Sequence, residues 1–185
     1  MSNMNSSKQS LFLMELIVAI MFFSLSAAVC VSLFSSAHLA AKKTEDLRNA
    51  IKWAQSISEA FVGEKGDLSS LSRLFPDAFI TETPSDSEED SHTFILIFDD
   101  EWNTINTETS AASYEIILKA RILDASDVYS DVTDYGTALT GKAAVCDIKV
   151  LDTEGTDSVL QEISEGDERL IFSNTVDTYI GTEAN

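Results

Sequence analysis

The chain has 185 residues, 44% of them hydrophobic, and carries 12 Lys+Arg against 31 Asp+Glu for a formal net charge of −19. That length fits one ordinary domain with an appendage, and the apolar content suffices for a core. The acidity excludes a general nucleic-acid binder, which needs clustered Lys and Arg, while two Pro, seven Gly and two Cys exclude collagen-like chains, low-complexity chains and a disulfide scaffold.

Residues 16–34 read LIVAIMFFSLSAAVCVSLF, with no charge, Pro or Gly. This is long enough to cross a bilayer as a helix, and it lacks the polar face of a helix at the edge of a soluble core. The apolar character extends from Leu11 to Ala41, interrupted by Glu15 and His38. A cleavable secretory signal has a shorter apolar run of about 7–15 residues, although Ser35-Ser36-Ala37 offers small residues for a cut after Ala37. Cys30 follows Val29, not the small residue a lipoprotein signal needs. A membrane anchor fits best. Glu15 costs roughly 2.5–3.5 kcal/mol at the centre of a membrane helix and less near the interface, where it can snorkel. Lys8 on one side and Lys42, Lys43, Arg48 and Lys52 on the other would by themselves put the C-terminal part in the cytoplasm.

Past the apolar run, Leu47, Ala50, Ile51, Ala54, Ile57 and Phe61 recur at three- and four-residue steps, marking one helix face with Trp53 beside it. Gly63 and Gly66 end the pattern. A helix over 11–62 would be roughly 78 Å long. Asp67 suits the N-cap of a short helix over 68–75, stopped by Pro76. Residues 82–92 are an acidic loop, after which the period becomes two. Residues 93–98 (TFILIF) read as a buried strand. In 114–123, Tyr114, Ile116, Leu118, Ala120 and Ile122 share a face opposite Lys119 and Arg121; in 143–151, Ala144, Cys146, Ile148 and Val150 share one opposite Asp147 and Lys149. Residues 152–156 read as a turn, 159–163 as the returning strand of a hairpin, and Leu170, Phe172, Val176 and Ile180 mark a last strand. The layout is α+β: one long helix whose apolar stripe packs on the even-numbered face of an antiparallel sheet of four or five strands. Residues 1–76 hold seven Lys/Arg and six Asp/Glu, a net +1, whereas residues 77–185 hold five and twenty-five, a net −20. The sheet part is therefore a strongly acidic, soluble body.

Catalytic signatures are weak. Gly136 to Lys142 has the spacing of a phosphate-binding loop, but Ala143 replaces the Ser or Thr that would hold Mg²⁺, and a strand follows in place of a helix. His38 and His92 are too few and too separate for a triad or zinc cluster. Cys30 and Cys146 are expected to be free thiols. Asp124, Asp127, Asp131 and Asp134 repeat at three- and four-residue steps, which suits Ca²⁺ chemistry in principle but misses the EF-hand pattern, so solvated loop acids are expected. No catalytic residue, cofactor or metal is assigned.

The segment Lys8-Gln9-Ser10-Leu11-Phe12-Leu13-Met14-Glu15-Leu16-Ile17-Val18-Ala19-Ile20 resembles the prepilin cleavage and methylation motif of type IV pilins and pseudopilins. In that family a membrane peptidase cuts between a short polar leader and the apolar helix, then methylates the new N-terminus. Counting Leu11 as first, Leu13 stands at the usual third-position Leu and Glu15 at the fifth-position Glu. Ser10 replaces the usual Gly before the cut, and the usual helix Pro is absent, the first Pro being Pro76. The resemblance covers about 30 residues at motif level. It implies a polar leader over 1–10, a transmembrane helix over 11–37 and an extracytoplasmic acidic α+β domain over 38–185 that includes the second half of the helix. It implies a junction at Ser10/Leu11, an assembly role for Glu15, and as partners other pilin or pseudopilin subunits, the prepilin peptidase and membrane lipid, with no nucleic acid. The function implied is a structural subunit of a type IV pilus or type II secretion-like filament, not an enzyme. The alternatives are a single-pass, membrane-anchored binding protein and a secreted binding protein beginning at His38.

Overall fold

A computed structural model describes residues 3–82, 92–105, 112–130, 139–153, 163–164 and 166–181, and the side chains of these residues except 3–9, 81 and 82. The chain divides into two compact units, 1–45 and 46–185. Helix α1 (Asn3–Gly63) contributes to both.

In the first unit α1 is the described structure. The absence of Gly and Pro from residue 3 to 62 leaves nothing to break it.

In the second unit α1 supplies Ala50, Ala54, Ile57 and Phe61, all buried. Two alanines followed by two larger side chains bring the helix close to the sheet and then fill the space beyond. Leu47 and Ile51, which the spacing placed on the same stripe, are about two-fifths exposed, so the buried face is narrower than expected. The helix ends in a Schellman motif. The Gly66 N–H donates to the Phe61 carbonyl at 2.9 Å, and the Lys65 N–H donates to Val62 at 3.1 Å. Lys65 (φ 52) and Gly66 (φ 79) both lie in the left-handed region. Helix α2 (Leu68–Leu74) follows, with Asp67 as N-cap accepting from the Ser69 N–H at 3.0 Å and Phe75, before Pro76, as C-cap.

The sheet contains β1 (Phe79–Glu82), β2 (His92–Phe98), β3 (Thr104–Ile105), β4 (Tyr114–Asp124), β5 (Lys142–Asp152) and β6 (Leu170–Gly181), with a one-turn helix α3 (Ala125–Val128) after β4. The order is β1-β2-β4-β5-β6, with β3 also on β2, and every pairing is antiparallel. The α+β class is as expected. The sheet has six strands instead of four or five because the short β1 and β3 join its β2 edge. Residues 154–162 lie outside the described ones, and so does most of the expected returning strand; β5 takes β6 as its neighbour.

The even-numbered face carries the main core: Phe94, Leu96 and Phe98 from β2, Ile116 and Leu118 from β4, and Cys146, Ile148 and Val150 from β5, closed by α1 and Leu71 of α2. Each fully buried large side chain contributes about 1.5–3 kcal/mol. An aromatic chain runs along it, with ring centroids 4.9 Å apart for Trp53–Phe98, 5.7 Å for Phe98–Trp102 and 4.1 Å for the stacked Trp102–Tyr114 pair. Ile122, expected on this face, is 48% exposed near the end of β4. The odd-numbered face is not simply solvated. Ile95, Ile97, Ile117 and Leu151 are buried there too, and Ile163 joins Ile117 and Leu151 in a second small cluster. The Lys149 ammonium donates to the Ile163 carbonyl at 2.8 Å and pins that segment over the face.

Candidate functional site

The first unit carries the residues the sequence singles out. Ser10, Leu11 and Glu15 stand within two turns of α1, all exposed. Leu11 and Glu15 are four residues apart and so share a helix face. Leu11 is here an interior helical residue, so its backbone nitrogen becomes a charged amine only after a cut at Ser10/Leu11. Every large apolar side chain from Leu11 to Leu39 has between 40% and 79% of its surface free. The polar side chains within the run satisfy themselves on the helix. Ser24 Oγ donates to the Ile20 carbonyl at 2.8 Å and Ser26 Oγ to Phe22 at 2.9 Å, the arrangement that lets a serine enter hydrocarbon without an unmet hydroxyl. Among the described residues this is the one helix long and apolar enough to cross a membrane.

The second unit gathers its polar contacts into ties. Tyr114 donates to Asp46 Oδ1 at 2.7 Å, fastening β4 to α1 at the start of the unit. Trp102, stacked on Tyr114, has φ 63. Its turn is held by Asp99 Oδ1, which accepts from the N–H groups of Glu101 at 3.0 Å and Asn103 at 2.8 Å. The Asn103 backbone N–H, then its side chain, holds the Asp99 carboxyl below the usual range. Thr104 donates to Asp77 Oδ2 at 2.7 Å and ties β3 to the segment after α2. No sequence repeat marks these contacts, because each joins residues remote in the chain or depends on a left-handed turn at a tryptophan.

Among the described residues the titratable groups with clear shifts each answer to a local cause. Burial, then the Asp177 hydrogen bond and charge, pushes the Tyr129 phenol up to about 12. Burial foremost raises the Cys146 thiol, which suits packing and opposes nucleophilic use. The Arg169 guanidinium, then its backbone N–H, lowers Asp167 to about 2. Arg121 pairs with Asp147 at 3.2 Å and Lys142 with Asp124 at 2.7 Å. Of the four spaced aspartates, Asp124 is thus engaged by a lysine, Asp127 lies in α3, and Asp131 and Asp134 fall outside the described residues. Among the described residues no three His, Cys, Asp or Glu side chains converge as metal ligands. After Gly141 comes strand β5, so the glycine spacing there does not open a helix. Cys30 and Cys146 are free, the first exposed on α1 and the second buried in the sheet.

Comparison with protein-family models, curated proteins and solved structures returns no match.

Proposed function

We propose that this chain is a minor pilin-like or pseudopilin-like structural subunit, held in the cytoplasmic membrane by α1 with its acidic unit outside, and drawn into a type IV pilus or type II secretion-like filament. The observation that carries this reading is the contrast between the two units. The second closes a core to which no residue before Ala50 contributes, while the first presents a long, uncovered apolar helix surface. Such a surface needs lipid, or the same helices of other copies, around it. Both environments are what a subunit moving from membrane to filament provides.

Glu15 gives the reading its chemistry. It is the only Asp, Glu, Lys or Arg from Leu11 to Ala41. Cutting at Ser10/Leu11 by a prepilin peptidase would create a positive amine one turn away. Two isolated charges in a medium of low dielectric are costly, and pairing offsets much of that cost. The Glu15 carboxylate of one copy against the Leu11 amine of the next would therefore set helix height within the bundle, because a misplaced helix leaves both charges unpaired.

The test is Glu15→Gln, which keeps shape and removes charge. Membrane insertion and cleavage should persist, while the share of the variant in sheared filaments relative to its membrane level should fall severalfold. An unchanged ratio would refute the assembly role. Mass spectrometry of the mature N-terminus separates the rivals. A start at Leu11 supports this reading, an intact leader supports an anchored binding protein, and a start at His38 supports a secreted one.

A further inference from the structure

The two edges of the sheet differ. One is made of β1 and β3, four and two residues long. The other is β6, twelve residues long. Between the two irregularities in its pairing with β5, the register runs unbroken through eight pairs, from Ala143↔Tyr179 to Val150↔Phe172. Among the described residues nothing pairs with its other side. Natural sheets blunt such an edge with Lys, Pro, bulges or shortness. Leu170–Gly181 contains no Lys, Arg or Pro, and its single charge is Asp177. Ser173, Asn174, Thr175, Asp177 and Tyr179 are exposed.

A second observation concerns the inner face. Cys146, Ile148 and Val150 of β5 are fully covered, whereas Phe172, Val176 and Ile180 of the adjoining β6 pack on the same core but remain partly exposed. The inner face thus continues one strand beyond its cover, with Asn174 and Thr178 set between these three apolar side chains. An added strand would supply backbone hydrogen bonds to the open edge and alternate apolar side chains over that face.

Charge selects the occupant. Residues 46–185 hold nine Lys/Arg and twenty-nine Asp/Glu, a net −20. Strands pair at about 4.8 Å, so edge-to-edge pairing would press two equally acidic units together. A net-basic chain is instead attracted and steered to the edge. We propose that β6 is a docking edge for an extended, net-basic segment of a partner polypeptide, joining the sheet as a strand and setting alternate apolar side chains beside Phe172, Val176 and Ile180. This rests on the second unit alone and does not require the filament reading.

The experiment is hydrogen exchange on the full chain in detergent micelles, with a synthetic peptide of about ten residues alternating Val with Lys. Alternate amides within Phe172–Tyr179 should exchange at least about tenfold more slowly at saturating peptide. A peptide of the same composition with its Val and Lys in separate blocks should leave them unchanged. Asn174→Lys, at an exposed position between Phe172 and Val176 on the same face, should weaken peptide binding about tenfold, a change worth 1.4 kcal/mol, with the circular dichroism spectrum unaltered. Three results would each overturn the proposal: no slowing with the alternating peptide, equal slowing with the block peptide, which means charge alone, or slowing that tracks protein concentration without peptide, which means a second copy occupies the edge.

Discussion

Gly66→Ala tests how the end of α1 is fitted to the sheet. Gly66 sits at φ 79, and a Cβ built there would come closer than 3.0 Å to the Ala144 methyl on β5 and within 3.5 Å of the Phe61 ring. The left-handed conformation costs a non-glycine residue about 1–2 kcal/mol. Forcing a methyl against a buried methyl on a central strand adds about 1–3 kcal/mol, because packed strands yield little. The expected loss is therefore about 2–5 kcal/mol, a large share of the roughly 5–15 kcal/mol that holds a domain. Both tryptophans, Trp53 and Trp102, lie in the second unit, so urea unfolding of the full chain in micelles, followed by tryptophan fluorescence, reads that unit alone. The midpoint should fall by about 1–2 M at an ordinary urea sensitivity. Ala144→Gly in the same chain removes the overlap but not the backbone cost, so the double variant should show a favourable coupling of about 1–3 kcal/mol. If Gly66→Ala unfolds within about 0.5 kcal/mol of the parent, or the coupling is absent, the close approach of the helix end to β5 is wrong.

Lys65→Gly relieves a left-handed non-glycine residue (φ 52) in the same motif and should stabilise the second unit by about 0.5–1 kcal/mol in the same titration. Asp167, lowered to about 2 from 3.8 chiefly by its hydrogen bond from Arg169, favours folding while ionised; that contribution is present above about pH 4 and is lost as pH falls through about 2, and carboxyl NMR should show Arg169→Gln raising the Asp167 midpoint towards the ordinary range but not into it, since the backbone N–H of residue 169 still donates to Asp167 Oδ1. In a Cys30→Ser background, Cys146, raised above the usual thiol range by burial, should react with thiol reagents only as fast as the unit opens, with labelling accelerated by urea; prompt labelling in native buffer would contradict its place in the core.

The parts of the fold set by short-range periodicity were readable. The inward set Ile116, Leu118, Cys146, Ile148 and Val150 follows from the two-residue repeat, and the Asp67 cap from its spacing to Pro76. The misses share a cause: the local pattern does not say what lies across from it. Ile122 keeps the period of its strand but stands near the end of the sheet, half exposed. Leu47 and Ile51 continue the stripe of α1, yet the residues buried on that helix are Ala50, Ala54, Ile57 and Phe61. The second cluster on the odd-numbered face depends on Ile163, a residue outside every strand. At the candidate site, the apolar run and the isolated Glu15 were plain in the sequence because composition alone defines them. The Asp46–Tyr114 tie and the turn at Trp102 were not, since no repeat announces a contact across 68 positions or a tryptophan in a left-handed turn.

Burial of β2 on both faces has a consequence for how the chain reaches its fold. Elsewhere a one-residue slip of a strand turns polar side chains inward and is rejected by the hydrophobic effect. In Thr93–Phe98 a slip exchanges Phe94, Leu96 and Phe98 for Thr93, Ile95 and Ile97, and polarity scarcely objects. Shape has to discriminate instead, through the Phe98 ring that only one register sets against Trp53 and Trp102. A six-residue segment of such high strand propensity, free of charge and Pro, is also the kind that stacks with itself when exposed. Glu88, Glu89 and Asp90 precede it and Asp99, Asp100 and Glu101 follow it. Part of the acidity of this chain thus acts before folding, as like-charged guards that keep unfolded copies from aligning the same strand.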